Sequence, residues 1–137
     1  MSAAVSVRGL TKAYHGRTVW NGLDLTVPRG TVFGLLGANG AGKSTAIECM
    51  LGTKQADAGS VQLLGRDPKR DRREPFQRVG VQFQEGDYPH EIRVWELCEE
   101  TACLYRAPAD WRTLCRRFGI GDKLNAAVRS LSGGERQ

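Results

Sequence analysis

The segment 37–44, GANGAGKS, constrains the fold of this chain more than any other feature, because it fits the pattern GxxxxGK[ST] at every fixed position. Gly37, Gly40 and Gly42 let the backbone bring several N–H groups close to one anion. The helical pattern that follows points its positive end at the same place. The segment therefore predicts a phosphate-binding loop, called the P-loop below.

Three side chains at the end of the P-loop have separate predicted roles. We expect Lys43 to reach the β- and γ-phosphates, Ser44 to bind magnesium through its hydroxyl, and Thr45 to donate to a nearer phosphate. ATP and Mg²⁺ are the expected ligands. The remaining contacts are expected from Gly37, Ala38, Asn39, Gly40, Ala41 and Gly42. A chance match is the alternative, but the motif stands between an apolar strand pattern and a helical one, as a P-loop requires.

Hydrophobic patterning of the first half predicts strands and one helix. Residues 5–10 and 19–27 are predicted to form an antiparallel flap, with Gly16 and Arg17 near its turn. The continuous apolar run 31–36 is typical of a parallel strand that is covered on both faces. A helix over 43–51 should stop at Gly52. Two further strands are predicted over 60–64 and 78–83.

The second half changes to helical patterning beyond Pro89. Helices are predicted over 93–105 and 109–118, with Pro108 as the first residue of the second one. Strands with a helix followed by helices predict an α/β unit with a helical lobe. We expect two parts, an ATP-binding core with its flap over 1–88 and a helical subdomain over 89–137.

Composition excludes several classes of protein. No apolar run in the 137 residues approaches the length of a membrane span. The N-terminus lacks the basic start and long apolar core of a secretory signal, so a cytoplasmic location is expected. The net charge is +5, but the basic stretch at 66–74 is interleaved with acidic residues and contains no aromatic residue. No nucleic-acid partner is therefore expected.

The segment 131–137, LSGGERQ, resembles the signature of ATP-binding cassette (ABC) ATPases, usually written LSGGQ. Ser132, Gly133 and Gly134 match, while Glu135 stands where glutamine is usual. A serine hydroxyl and glycine amides at a helix start suit anion binding. By itself the SGG segment is equally consistent with a linker turn in which Ser132 caps a helix. Together with the P-loop upstream, it identifies the chain as similar to ABC ATPases.

The resemblance implies further site residues. Tyr14 lies where ABC proteins carry an aromatic residue that stacks on adenine, and Val19 would flank the ring. Gln84 resembles the glutamine that contacts magnesium and the attacking water and links to the transport partner; Gln82 is its rival, but the strand alternation puts Gln82 in mid-strand. Lys43 and Gln84 are thus the expected catalytic residues, and Ser44 and Gln84 the expected magnesium ligands.

The resemblance also implies a fold and a mechanism. The expected fold is an α/β P-loop NTPase core with an antiparallel β flap and a helical subdomain, incomplete at the C-terminus. Two ATPase subunits would sandwich each ATP between one P-loop and the partner's signature, and their closure would drive a membrane permease. The loop sequence is most similar to ATPases of ABC-2 type exporters, which operate at the inner face of the cell membrane.

The family places an aspartate for magnesium, a catalytic glutamate and a switch histidine downstream of the signature. We therefore expect the 137 residues alone to be inactive in hydrolysis, with residues 31–36 exposing an apolar edge. The open alternatives are a soluble ABC ATPase of translation or DNA maintenance, a P-loop enzyme such as a small-molecule kinase, and a non-catalytic nucleotide-binding fragment.

Overall fold

The structure is a computed structural model that describes residues 3–82 and 88–136. The chain divides into two compact units, Met1–Arg78 and Val79–Gln137. The domain boundary after residue 88 stays a prediction. Within the described residues, no helix combines the length and the apolar character that crossing a bilayer requires.

The first unit begins with a long antiparallel hairpin. Strand β1 (Ala3–Tyr14) pairs with strand β2 (Arg17–Pro28). The tight turn between them is made by His15 and Gly16, which both adopt positive φ angles, of 48° and 79°. The predicted flap is confirmed, and the hairpin extends beyond both predicted strands.

Strand β3 (Ala58–Leu63) pairs antiparallel with β1 on the side opposite β2, which gives the strand order β2-β1-β3. Helix α1 (Lys43–Met50) contributes Ala46, Cys49 and Met50 to a core that also contains Val7 and Leu10 of β1. Helix α1 and strand β3 are therefore confirmed to within one or two residues at either end. This core fixes the start of α1 relative to the hairpin.

Gly52 ends α1, as predicted. It adopts a φ of 67°, and its N–H donates to the carbonyl of Cys49 over 3.1 Å. The N–H of Thr53 reaches the carbonyl of Glu48 over 2.9 Å. These two bonds form the Schellman arrangement, in which glycine favours the left-handed position just beyond the helix.

Residues 31–36 do not form the predicted strand. The relative exposures of Val32 and Leu36 are 104% and 91%, while Leu35 packs against the core of the first unit. A strand needs a neighbour to satisfy its backbone groups, and the three strands of the described residues all belong to the β2-β1-β3 sheet. The strand prediction was wrong, but the apolar exposure expected from the resemblance is present.

The strand predicted over 78–83 is also absent from its described part, because residues 78–82 pair with no described strand. Here Val79 accepts a 3.0 Å hydrogen bond from the Tyr105 hydroxyl through its carbonyl. Residues 83–87 lie outside the described residues, so the prediction for Gln84 at the end of this segment does too.

The second unit contains three α-helices among its described residues, α2 (Val94–Ala102), α3 (Trp111–Arg117) and α4 (Gly133–Arg136). Its core consists of five buried residues, with Leu97, Cys98, Trp111, Ile120 and Leu124 packed around them. The five are Ile92, Val94, Cys115, Val128 and Leu131. The core residue Leu131 directly precedes the predicted signature serine.

Both long helices of this unit are shorter than predicted. Helix α2 ends at Ala102 instead of residue 105. Helix α3 starts at Trp111, because the carboxylate of Asp110 caps it by accepting from the N–H of Arg112 over 3.0 Å. Pro108 therefore precedes the cap and is not the first helical residue, which corrects the prediction.

Candidate phosphate-binding site

The P-loop connects residues 31–36 to α1. The N–H of Ala41 donates to the carbonyl of Ala38 over 3.2 Å, which closes a turn within the loop. Gly40 and Gly42 adopt φ angles of 80° and 84°, where an L side chain would be strained. The glycine spacing of the motif is thus required by the backbone conformation.

The start of α1 carries backbone donors that the helix itself does not satisfy. The first N–H groups of any α-helix have no partner within the helix. At α1 the N-cap residue is Gly42, no side chain caps the helix, and its first turn contains no acidic residue. The N–H groups of Lys43, Ser44 and Thr45 therefore remain available to an anion, with the favourable end of the helix dipole behind them.

Lys43 extends back over the loop. Its ammonium group lies 2.7 Å from the carbonyl oxygen of Gly37 and 2.7 Å from that of Ala38. These hydrogen bonds hold a positive charge over the P-loop backbone. The same ammonium group could donate to a phosphate oxygen at this position.

Strand β2 contacts the P-loop through two adjacent side chains. The indole Nε1 of Trp20 donates to the carbonyl of Gly42 over 2.9 Å. A Cβ at Gly42 would collide with Cγ1 of Val19 and lie 2.9 Å from the indole nitrogen of Trp20. Val19, predicted to flank adenine, therefore lies beside the P-loop, and its role toward the base stays a prediction.

Tyr14, at the end of β1, is 37% exposed. The ammonium groups of Lys12 and Lys54 lie 5.1 Å and 5.6 Å from the centroid of its ring. Lys12 is held by Asp57 over 2.8 Å and Lys54 by Glu48 over 2.8 Å. The hydrogen bond from Lys12, followed by one from the N–H of Ala13, lowers the pKa of Asp57. The ring is therefore partly exposed and contacted by two cations, and adenine stacking stays a prediction.

In the second unit, Ser132 and Glu135 cap the start of α4. The N–H and the hydroxyl of Ser132 donate to Oε2 of Glu135 over 2.9 Å and 3.0 Å. The N–H of Glu135 points back to the Ser132 hydroxyl over 3.4 Å. This reciprocal arrangement is a capping box. The helix start predicted at the signature is therefore present.

Lys123 forms an ion pair with Oε1 of Glu135. This hydrogen bond, followed by those from the N–H and the hydroxyl of Ser132, lowers the pKa of Glu135 to about 2. The carboxylate is thus charged at neutral pH and is balanced by one lysine. Gly133 and Gly134 are exposed beside it.

Comparison with known proteins identifies the family. A model of the ABC transporter family matches residues 20–137, which include the P-loop and the signature segment. The chain belongs to the ABC transporter family. The resemblance inferred from the two motifs is confirmed.

Individual relatives are named as export proteins. The Nod factor export ATP-binding protein I of Azorhizobium caulinodans is 36% identical over 97% of this chain and 43% of its own length. The daunorubicin resistance ATP-binding protein DrrA3 of Streptomyces coeruleorubidus is 34% identical over 98% of this chain and 44% of its own length. The chain thus spans less than half the length of these curated relatives. Their names agree with the predicted similarity to exporter ATPases.

Solved structures show the same fold. The cbiO1 protein from Clostridium perfringens, described as part of the ABC transporter complex cbiONQ, superimposes with a TM-score of 0.79 at 23% identity, over 99% of this chain and 59% of that one. An ATP-binding subunit of an ABC transporter gives a TM-score of 0.76 at 20% identity, over 97% of this chain and 58% of that one. The predicted fold class is confirmed.

Sequence reasoning missed four residues that contact the predicted sites: Lys12, Trp20, Lys54 and Lys123. Trp20 contacts the P-loop at Gly42, and Lys12 and Lys54 lie over the ring of Tyr14; no local pattern marks these contacts. The capping box was available from the sequence, because Ser132 and Glu135 have the spacing S-x-x-E. Its partner Lys123, 12 residues upstream, was not.

Proposed function

We propose that this chain is the nucleotide-binding part of an exporter ATPase, which couples ATP binding and hydrolysis to export through a separate membrane permease. One observation carries the proposal: α1 begins at the P-loop with uncapped N–H groups, no acidic residue in its first turn and the Lys43 ammonium beside them. This donor set matches a triphosphate, which is strongly anionic and rich in acceptors.

Each residue of the site has a defined task in this proposal. The N–H groups of residues 37–45 and the ammonium of Lys43 bind the phosphates, and the ring of Tyr14 stacks on adenine beside Val19. The Ser44 hydroxyl and Gln84 would hold Mg²⁺, which would supply positive charge beside the phosphates. Positioning and charge stabilisation of this kind account for most of phosphoryl-transfer catalysis.

The signature segment would act on a second subunit. Ser132, Gly133 and Gly134 are exposed, and the two glycine amides can donate to a γ-phosphate that a partner subunit holds. The Ser132 hydroxyl would join them by exchanging its hydrogen bond to Glu135 for one to the phosphate. Glu135 would place a carboxylate, paired with Lys123, beside these donors. Each ATP would then lie between two subunits, and closure of the pair would transmit work to the permease.

The names of the relatives favour an exporter over the soluble alternatives. Proteins of Azorhizobium and Streptomyces that align with almost the whole chain are described as export or drug-resistance ATP-binding proteins. Attachment at the inner face of the cell membrane would follow from the permease. A soluble ABC ATPase of translation or DNA maintenance, or a fragment that binds nucleotide without catalysis, has no comparable support.

The sandwich can be tested with a pair of neighbouring serines in the polypeptide as its gene encodes it. Ser132→Ala should weaken ATP-induced dimerisation, measured by sedimentation, because it removes a donor to the partner's nucleotide. Ser130→Ala is the matched control, since its hydroxyl donates to the carbonyl of Ala127 over 2.7 Å. Equal dimerisation of Ser132→Ala and the wild type would contradict the sandwich, and failure to co-purify with any membrane protein would contradict the exporter assignment.

A further inference from the structure

Trp20 of strand β2 is hydrogen-bonded directly to Gly42, the N-cap residue of α1. Its indole N–H donates to the carbonyl of Gly42 over 2.9 Å, across 22 positions of the chain. The N–H of Ala46 donates to the same carbonyl over 2.9 Å. The carbonyl therefore accepts one bond from its own helix and one from the hairpin, and its direction is fixed by both.

The close approach of β2 depends on the side chain that Gly42 lacks. A Cβ at Gly42 would collide with Val19 Cγ1 and would lie 2.9 Å from the Trp20 indole nitrogen, so the hairpin and the P-loop are in contact at this point. Trp20 is half-buried and packs against the core residues that α1 and β1 share. The indole is thus held in place before any ligand binds.

Fixing the Gly42 carbonyl also fixes the next N–H. The peptide bond is planar and trans, so the N–H of Lys43 points opposite to the carbonyl of Gly42. That carbonyl is directed along α1 toward Ala46, and the Lys43 N–H is consequently directed off the start of the helix. This N–H is one of the donors that the proposed function assigns to the phosphates.

We propose that Trp20 is a positioning residue for phosphate binding: its indole N–H orients the Gly42–Lys43 peptide toward the anion. The inference rests on the proposed function. It also connects two parts of the site, because Trp20 pairs with Lys12 of β1, two residues before Tyr14. The same hairpin would then carry the residue that stacks on the base and the residue that orients the P-loop.

The test separates the hydrogen bond from packing. Trp20→Phe keeps an aromatic ring in the core. It removes the N–H donor and one of the two fused rings. Trp95→Phe is the matched control, because Trp95 lies on α2 in the other unit. Dissociation constants for ATP and for inorganic tripolyphosphate are measured on the whole polypeptide, and thermal unfolding is followed without ligand.

Loss of one hydrogen bond predicts roughly three- to tenfold weaker binding of both ligands by Trp20→Phe. Trp95→Phe should bind both as the wild type does. Because tripolyphosphate lacks the base, equal weakening for both ligands assigns the effect to the phosphates. Wild-type affinity of Trp20→Phe for tripolyphosphate would overturn the inference, even if its thermal midpoint were lower. Failure of the wild type itself to bind ATP would instead overturn the proposed function.

A second measurement does not depend on the folding of Trp20→Phe. The 137 residues contain three tryptophans, so the substitutions Trp95→Phe and Trp111→Phe leave Trp20 as the one tryptophan among them. Saturation with tripolyphosphate should shift or quench its emission, because the charge of the anion comes close to the peptide to which the indole is hydrogen-bonded. Unchanged Trp20 emission at saturation, established by calorimetry, would also overturn the inference.

Discussion

The hydroxyl of Ser132 donates a 3.0 Å hydrogen bond to the carboxylate of Glu135. The signature of the family usually has glutamine at this position, whose amide oxygen could accept the same bond without a charge. In this chain the charge is balanced by the ion pair with Lys123. The departure from the family pattern is therefore accommodated within the fold by a residue outside the motif.

Glu135 should make the thermal stability of the protein depend on pH in the acidic range. The pKa of Glu135 is lowered to about 2 from its ordinary value of 4.5, first by Lys123 and then by Ser132. A carboxylate whose pKa is lower in the folded than in the unfolded protein stabilises the folded state fully when the pH is above the pKa of the unfolded state. This stabilisation is lost as the pH falls through the pKa of the folded state. Wild type should therefore exceed Glu135→Gln in thermal midpoint at pH 7, and this difference should shrink as the pH falls from 4.5 toward 2.

Glu100→Gln is the matched control for this prediction, since Glu100 is an exposed carboxylate on α2. A difference between wild type and Glu135→Gln that stays constant across this pH range would contradict the assigned pKa. Because the pKa of Asp57 and Asp110 is also lowered, the comparison must be made between variants and not from the wild-type profile alone.

Gly42→Ala should destabilise the protein more than a glycine substitution that causes only backbone strain. Gly30 has a φ of 72° and open space around its Cβ position, whereas Gly42 has a φ of 84° and the contacts with Val19 and Trp20. Gly30→Ala should cost about 1–2 kcal/mol from the left-handed conformation. Gly42→Ala should cost about 1–3 kcal/mol more from overpacking. Urea unfolding measures the free energy of unfolding of both variants. Equal losses of stability would show that the contacts of Gly42 with Val19 and Trp20 do not restrict the side chain at this position.

The sequence predicted the elements whose stability is local. The hairpin followed from alternation such as Leu23, Leu25 and Val27, and the end of α1 followed from Gly52, because glycine tolerates the left-handed position. The start of α3 was not predicted correctly from Pro108. The helix begins after Asp110, whose carboxylate accepts a hydrogen bond from the N–H of Arg112, whereas proline has no side-chain acceptor.

Elements that depend on partners distant in the sequence could not be predicted from local patterns. Residues 31–36 have the composition of a buried strand, but strand formation depends on a neighbour that local patterning does not specify. The bond from Trp20 to Gly42 spans 22 positions and the ion pair from Lys123 to Glu135 spans 12. The P-loop and the signature were readable because their chemistry is confined to consecutive residues.

The exposed apolar segment 31–36 predicts that the 137 residues by themselves associate. Val32 is fully exposed, so Val32→Lys should leave the free energy of unfolding within about 0.5 kcal/mol of the wild type. It should also reduce concentration-dependent association in sedimentation, because it breaks an apolar surface. Phe118→Lys, at a 79% exposed site of the second unit, is the control. Association that responds equally to both variants would argue against this segment.

Binding of ATP to the P-loop is the central claim, and a titration of the wild type and Lys43→Ala with ATP and Mg²⁺ tests it most directly. Lys69→Ala is the matched control, as an exposed lysine in the same unit. Loss of a charge-assisted hydrogen bond predicts roughly 10- to 150-fold weaker binding by Lys43→Ala, with Lys69→Ala unchanged. Equal affinity of Lys43→Ala and the wild type for ATP would contradict the account.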